Sequence, residues 1–377
     1  MWDHRCLKRI DWRTIPILIC LMIVSILVIA ATTGDPHTTG WESLFPPHVM
    51  SQLRFFGLGW AAYFFVAGMD YTKLRQWAWV FYVITIILLC GLFFTAPIQN
   101  VQRWYRVPFI GFAFQPSECA KLVVVIILSA FLDAHARMVH TVRVALQAMI
   151  IVGVPFALIL KQPDLGTSLI LCPITLAIFY LAGIHKKIIF WMKMVGVSAV
   201  VFVNLMFLGV LPHDKLRPYA TNVIKEYQYE RLNPHTYHQK SAQTALGLGG
   251  WTGSGWHQSE FTGRQWLPAA HTDSVFAAFG EEFGVVGIFF MLLFFFGLLY
   301  FSFQVTAVAK DQFGRLLSAG ITVYLAMHII ISMGMMSGYL PITGVPLILV
   351  TYGGSSILST MTALGILQSI YSRRFMF

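Results

Sequence analysis

The chain has 377 residues, of which 57% are hydrophobic and only 11% charged, and its mean hydropathy is +0.69. A soluble globular domain carries about 25% charged residues, so composition excludes that class and predicts an all-α polytopic membrane protein. The formal net charge of +10 does not point to nucleic acid, because the basic residues are scattered over loops and form no continuous stripe; such placement suits anionic membrane lipids.

A spanning helix needs about 20 mostly apolar residues. In chain order, candidate segments lie at 14–33, 51–69, 77–96, 117–132, 144–160, 166–183, 187–211, 275–303, 316–337 and 346–370, about ten in all. The first resembles a secretory signal in length. The ATTGDPHTTG that follows is not an A-x-A cleavage site, so a retained helix is expected. Cys6, Cys20, Cys90, Cys119 and Cys172 are widely separated and form no C-x-x-C pair. Most sit in or beside apolar runs, where a small hydrophobe is the ordinary role, and neither a disulfide nor a metal site is expected.

Basic residues alternate from one connection to the next. Arg5, Lys8, Arg9 and Arg13, then Lys73 and Arg75, Arg137 and Arg143, Lys186, Lys187 and Lys193, Lys310 and Arg315, and finally Arg373 and Arg374 fall on one side. The positive-inside rule then places both termini in the cytoplasm and the long loop 212–274 outside. Residues 1–377 read as a single integral domain containing that loop.

Four polar clusters map to the outer half. The first is QRWYRVPFIGFAFQPSECAK, residues 102–121. Pro116 sits where a helix can start, and Glu118 and Lys121 then share a face at i, i+3. A structural ion pair and a functional one are equally good readings, because intramembrane charges default to function while pairing is their commonest structural excuse. The second, LKQPDLGTS at 160–168, places Asp164 where it could cap the next helix. In the third, LPAAHTDSVFAAFGEEFG at 267–284, Asp273 is expected as an N-cap or as something more. Glu281 and Glu282 lie about two turns into the following helix, where capping no longer explains them. No H-E-x-x-H or comparable ligand spacing occurs. The fourth, SGYLPITGVPLILVTYGGSS at 337–356, is broken by Pro341 and Pro346. Irregular backbone at membrane depth is tolerated only where protein buries it or it lines a cavity; a small-residue packing surface is the alternative for Gly353 to Ser356.

Taken together, QRW with FQPSECAK, QPDLGTS, LGLGGWTGSGW, LPAAHTDSVFAAFGEEFG and SGYLPITGVPLILVTYGGSS resemble the SEDS family (shape, elongation, division and sporulation) of bacterial peptidoglycan glycosyltransferases. The resemblance covers essentially the whole chain. The LKRIDW start and short tails are more similar to the elongation, RodA-type branch than to the division, FtsW-type branch. Ala269, Ser274 and Ser332 stand where the family usually has an acidic residue, Phe and Asn.

The resemblance implies polymerisation of lipid II outside the bacterial cytoplasmic membrane, with a class B penicillin-binding protein as partner and Asp273 as the catalytic residue. It implies a substrate-binding set of Arg103, Arg106, Gln115, Ser117, Glu118, Lys121, Asp164, His271, Thr272 and Glu281. A carboxylate in reach of the acceptor hydroxyl can take its proton, and Arg103, Arg106 or Lys121 can clamp the pyrophosphate leaving group. A divalent cation (Mg or Mn) bridging the phosphates has room in this chemistry, but no residue set demands one. A lipid II flippase and a non-catalytic scaffold are the rival classes. The flippase predicts polar groups through both halves of the membrane, whereas these motifs crowd the outer half.

Overall fold

The structure, a computed structural model, describes residues 2, 4–34, 45–96, 102–107, 112–211, 213, 217–218 and 226–375. Among them are ten helices of at least 18 residues: α1 (Thr14–Thr33), α2 (Pro47–Gly68), α3 (Thr72–Gly91), α4 (Pro116–Ala134), α5 (Val142–Lys161), α6 (Leu165–Ala182), α7 (Lys186–Phe207), α8 (Val275–Val308), α9 (Gln312–Met336) and α10 (Gly354–Ser372). Local chemistry sets several of their starts. Pro116 opens α4 with its locked φ; Thr141, Asp164 and Asp311 cap α5, α6 and α9 by accepting from Val144 N, Thr167 N and Gly314 N.

Seven of the ten are long and apolar enough to cross a membrane, which makes this a multi-pass membrane protein. The other three, α2, α4 and α10, turn polar side chains into the bundle. Gln52 of α2 donates to Ser25 Oγ and Thr351 O. Lys121 of α4 pairs with Glu118, and Gln368 of α10 accepts from Asp11 N and donates to Thr14 Oγ1. A helix wrapped by protein does not need an apolar surface toward lipid. At the other extreme α7 buries only Ile189 and Met206 and lies at the periphery.

The expected all-α class is observed with one local exception. A two-stranded antiparallel hairpin, β1 (Tyr105–Val107) and β2 (Phe112–Phe114), stands before α4 with Arg106 opposite Ala113. The tenth expected segment, 346–370, is corrected: helix begins only at Gly354, and 338–353 is irregular chain. Pro341 and Pro346 lack the N–H a helix requires and restrict the residue before them.

The loop between α7 and α8 carries a 13-residue helix, Tyr237–Gly249. Thr236 caps it through Gln239 N, and the Gln239 side chain donates to Met335 O at 2.6 Å, pinning the loop helix to α9. The following segment enters α8 itself. Gly284 has φ 62°, ψ −165°, which breaks the helix. In an unbroken helix Val285 N and Val286 N would donate to Glu281 O and Glu282 O. Here Val285 N donates to Gly250 O and Val286 N to Trp251 O, while Ser254 N and Gly255 N donate to the two glutamate carbonyls, all at 2.9–3.1 Å. The loop thus fills two opened rungs, and every freed backbone group is satisfied.

Candidate active site

At the end of the bundle where α8 begins lies a cavity of about 1060 Å³. Five stretches far apart in sequence line it: the hairpin and α4 start, the loop before and within Tyr237–Gly249, the HTD segment before α8, the irregular chain 338–353 and the start of α10. Asp273 faces this space, partly buried.

The HTD segment is held by its backbone. Thr272 N and Ser274 N both donate to Ala269 O at 3.0 and 3.1 Å, Tyr352 N donates to His271 O at 3.1 Å, and Thr351 Oγ1 reaches Thr272 O at 3.5 Å. The carboxylate of Asp273 is not part of this scaffold. Ser274 is the N-cap of α8, no side chain caps the helix, and among the described residues no hydrogen bond or ion pair engages the Asp273 oxygens. The capping role that the sequence allowed is therefore not observed. A Cβ added at Gly344 would lie 3.6 Å from Asp273 Oδ2, so the irregular chain forms the facing wall.

Burial pushes the Asp273 carboxyl above the ordinary carboxylate range; His238, Arg231 and Arg103 pull it partly back, and Asp164 adds to the rise. Such a group is more basic than a solvated aspartate. His238 Nε2 is 2.7 Å from Ser274 Oγ. Its imidazole is shifted below its usual range by burial, against the opposing charge of Asp273. Arg231 donates to Thr343 O at 3.3 Å. His271 packs beside His48, with ring centroids 5.3 Å apart; burial and that neighbour lower its basicity.

Arg103 lines the cavity and is fixed by bonds to Gln162 O at 3.0 Å and to Pro163 O. Gln115, Glu118, His271 and Thr272 line it too. Asp164 and Ser117 stand just behind. Asp164 Oδ1 caps α6, and its Oδ2 accepts from Ser117 Oγ at 3.1 Å and Gln115 Nε2 at 3.2 Å. The expected cap is present, and it also positions Gln115. Arg106 belongs to β1, and its side chain lies outside the described residues.

Two expected substrate contacts are corrected. Lys121 does not line the cavity; it is fully buried behind Glu118. Its Nζ lies 2.7 Å from Glu118 Oε1 and 2.7 Å from His328 Nε2, with the Tyr324 ring centroid 5.4 Å away. Among the described residues Glu118 Oε2 has no hydrogen-bond partner, and Glu118 belongs to the cavity wall. Glu281 is also absent from the lining. Its oxygens accept from Phe261 N at 2.8 Å and from Thr262 N and Oγ1 at 3.0 and 2.5 Å. Glu282 likewise accepts from His257 N at 2.7 Å and from Ser259 Oγ. Both glutamates brace loop backbone, which explains acidic groups two turns inside a helix without invoking substrate.

Residues 11–374 match the sequence model of the FtsW/RodA/SpoVE family, described as cell cycle protein. The chain belongs to this family. Among relatives of this SEDS protein, the peptidoglycan glycosyltransferase MrdB of Escherichia coli (strain K12) is 30% identical over 99% of this chain and 95% of its own length. MrdB of Helicobacter pylori (strain ATCC 700392 / 26695) is 28% identical over 100% and 93%. Stage V sporulation protein E of Bacillus subtilis (strain 168) is 31% identical over 85% and 87%. The fold is shared with solved structures. A chain of a peptidoglycan synthase complex superposes with TM-score 0.76 at 23% identity, over 98% of this chain and 99% of that one. The rod shape determining protein RodA of Thermus thermophilus superposes with TM-score 0.70 at 22% identity, over 97% and 98%.

Among the described residues no three His, Cys, Asp or Glu side chains converge as metal ligands. No catalytic step is routed through a divalent cation. Arg231, His238 and His328 escaped the sequence reading. His328 carried a usable signal, an ionisable group inside an apolar helix; Arg231 and His238 lay in a loop that gave none.

Proposed function

We propose that the chain polymerises lipid II into glycan strands during cell elongation, with Asp273 as general base. The observation that carries this is an Asp273 carboxylate with no structural duty, raised in basicity by burial, facing a large cavity beside Arg103 and Arg231. The names of the MrdB relatives as peptidoglycan glycosyltransferases support the same reading.

The acceptor's sugar hydroxyl attacks the donor's anomeric carbon, and Asp273 takes its proton as the new glycosidic C–O bond forms. The bond between that carbon and the lipid pyrophosphate breaks, with inversion and no covalent sugar–enzyme intermediate. Undecaprenyl pyrophosphate leaves carrying the electron pair. Arg103 and Arg231 are the described cations placed to stabilise its charge. Lys121 acts from behind, holding Glu118 at the wall.

The positive-inside asymmetry puts both termini in the cytoplasm and this cavity at the outer face of the cytoplasmic membrane. A class B penicillin-binding protein is the partner that would cross-link the product. The deciding experiment is gel-resolved glycan synthesis from purified lipid II by the detergent-solubilised chain, with and without that partner. Well-folded protein that yields no glycan in either condition would overturn the reading. Vesicle transport of lipid II without glycan would favour a flippase, and partner binding alone a scaffold.

A further inference from the structure

At the end of the bundle opposite Asp273, a second cavity of about 640 Å³ lies between the turn from α8 to α9, the start of α3 and the end of α10. Three of its lining residues are cations: Lys310, Arg373 and Arg374. Among the described residues none of the three has a carboxylate within ion-pair distance. Arg373 is only 6% exposed, and its guanidinium is held by neutral oxygens, donating to Gly68 O at 3.0 Å, Ser369 O at 3.2 Å and Ala67 O at 3.5 Å, and to Ser369 Oγ at 2.8 Å. It thereby caps the end of α2, and no carboxylate among the described residues pairs with its charge. Among the described residues Arg374 donates once, to Tyr371 O at 2.8 Å, and it stacks on the Tyr371 ring at 3.6 Å. That single bond leaves most of its five N–H donors unused. Lys310 is exposed.

The one acid in the lining, Asp311, is already engaged. Its Oδ1 accepts from Tyr71 Oη at 2.5 Å and its Oδ2 from Gly314 N at 3.3 Å. Three cations with no ion-pair partner among the described residues surround one cavity and favour an anion from outside, and a guanidinium fork suits a phosphate in particular.

We propose that this cavity binds the phosphate of an anionic phospholipid, seated between Lys310, Arg373 and Arg374. A lipid is favoured over a free anion by depth and surroundings. The ends of α2, α8 and α10 and the starts of α3 and α9 meet here, which is the level of the headgroups in a bilayer crossed by these helices. Beside the cations the surface turns apolar. Ile370 lines the cavity, Val308 is 39% exposed and Phe375 is 74% exposed, so acyl chains have a path along the bundle. Bound there, the lipid ties the α8–α9 turn to the C-terminal end of α10.

The test is native mass spectrometry of the full chain in detergent, titrated with phosphatidylglycerol and, separately, with phosphatidylcholine. The wild-type chain should retain phosphatidylglycerol in preference. The double variant Lys310→Gln/Arg374→Gln, which leaves the α2 cap on Arg373 intact, should weaken that retention at least about tenfold. Lys186→Gln/Lys187→Gln removes equal charge elsewhere and should change it less than twofold. Equal loss in the two double variants, or equal retention of both lipids, would overturn the site. Inorganic phosphate that displaces the lipid at equal concentration would overturn the lipid assignment. None of these readouts depends on glycan synthesis, so their failure leaves the proposed activity standing.

Discussion

Lys121 and His328 are joined across α4 and α9 by a 2.7 Å contact, and the partners of each fix the proton positions. His328 Nδ1 lies 3.1 Å from Pro346 O. A carbonyl can only accept, so Nδ1 carries the hydrogen. A neutral imidazole has one N–H, so Nε2 accepts from the Lys121 ammonium. The run Pro346 O, His328, Lys121, Glu118 therefore ties the irregular chain 338–353 to the cavity wall.

Replacing His328 by Leu should strip Pro346 O and Lys121 of one partner each. A buried group left unsatisfied costs about 1–3 kcal/mol, so thermal unfolding in detergent should shift downward clearly. An unchanged melting temperature would show that the run does not brace the loop.

Lys121→Met and Glu118→Gln should each impair the protein, because breaking a buried pair costs about 3–5 kcal/mol. The double change should cost less than the two singles combined. Fully additive losses in a double-mutant cycle on stability and glycan yield would mean that the residues act separately.

Asp273→Asn should lower glycan polymerisation about 10²–10⁴-fold, the range for a positioned base. Stability should hold or rise. The folded-state pKa of Asp273 lies above its unfolded value, so between the two the unfolded state binds fewer protons and stability falls as pH rises. The neutral amide removes that cost. A melting temperature well below wild type would return Asp273 to a structural role, and near-wild-type polymerisation would remove it from the mechanism.

The acid limb of the pH–rate profile should fall above the ordinary aspartate range of about 3.9. Activity needs the carboxylate and is lost as pH drops through the raised pKa. Arg231 stabilises the anion, so Arg231→Met should move that limb to higher pH as well as slowing turnover. A limb that stays in place would show that another group sets it.

Gly284→Ala should destabilise the protein, because φ 62° is left-handed and the new Cβ would collide with backbone of Gly253 and Trp251. Strain of this kind costs about 1–3 kcal/mol. Gly247→Ala, in the loop helix with nothing within 4 Å of its Cβ position, should be neutral or stabilising by up to about 1 kcal/mol. Hydrogen exchange of residues 249–262 should rise in the first variant only.

The sequence by itself determined the membrane class, nine of the ten long helices to within about five residues, and most of the polar stretches from which the cavity is built. Hydropathy runs and helix-start chemistry at Pro116 and Asp164 are local, and local patterns are legible along a chain. The i, i+3 spacing of Glu118 and Lys121 likewise announced a pair. What only tertiary structure decided was which polar groups face substrate. Glu281 and Asp273 are eight residues apart and equally acidic. One is consumed by the backbone of residues 261–262, and the other is left free because Ser274, not Asp273, precedes the helix. Lys121 turned out to sit behind the wall because His328, some 200 residues on, draws it inward. Arg231 and His238 bring their charge near Asp273 from a loop that Gln239 pins to α9. Each of these outcomes depends on competition among distant hydrogen-bond partners for the same buried groups, and that competition is settled by packing rather than by spacing along the chain.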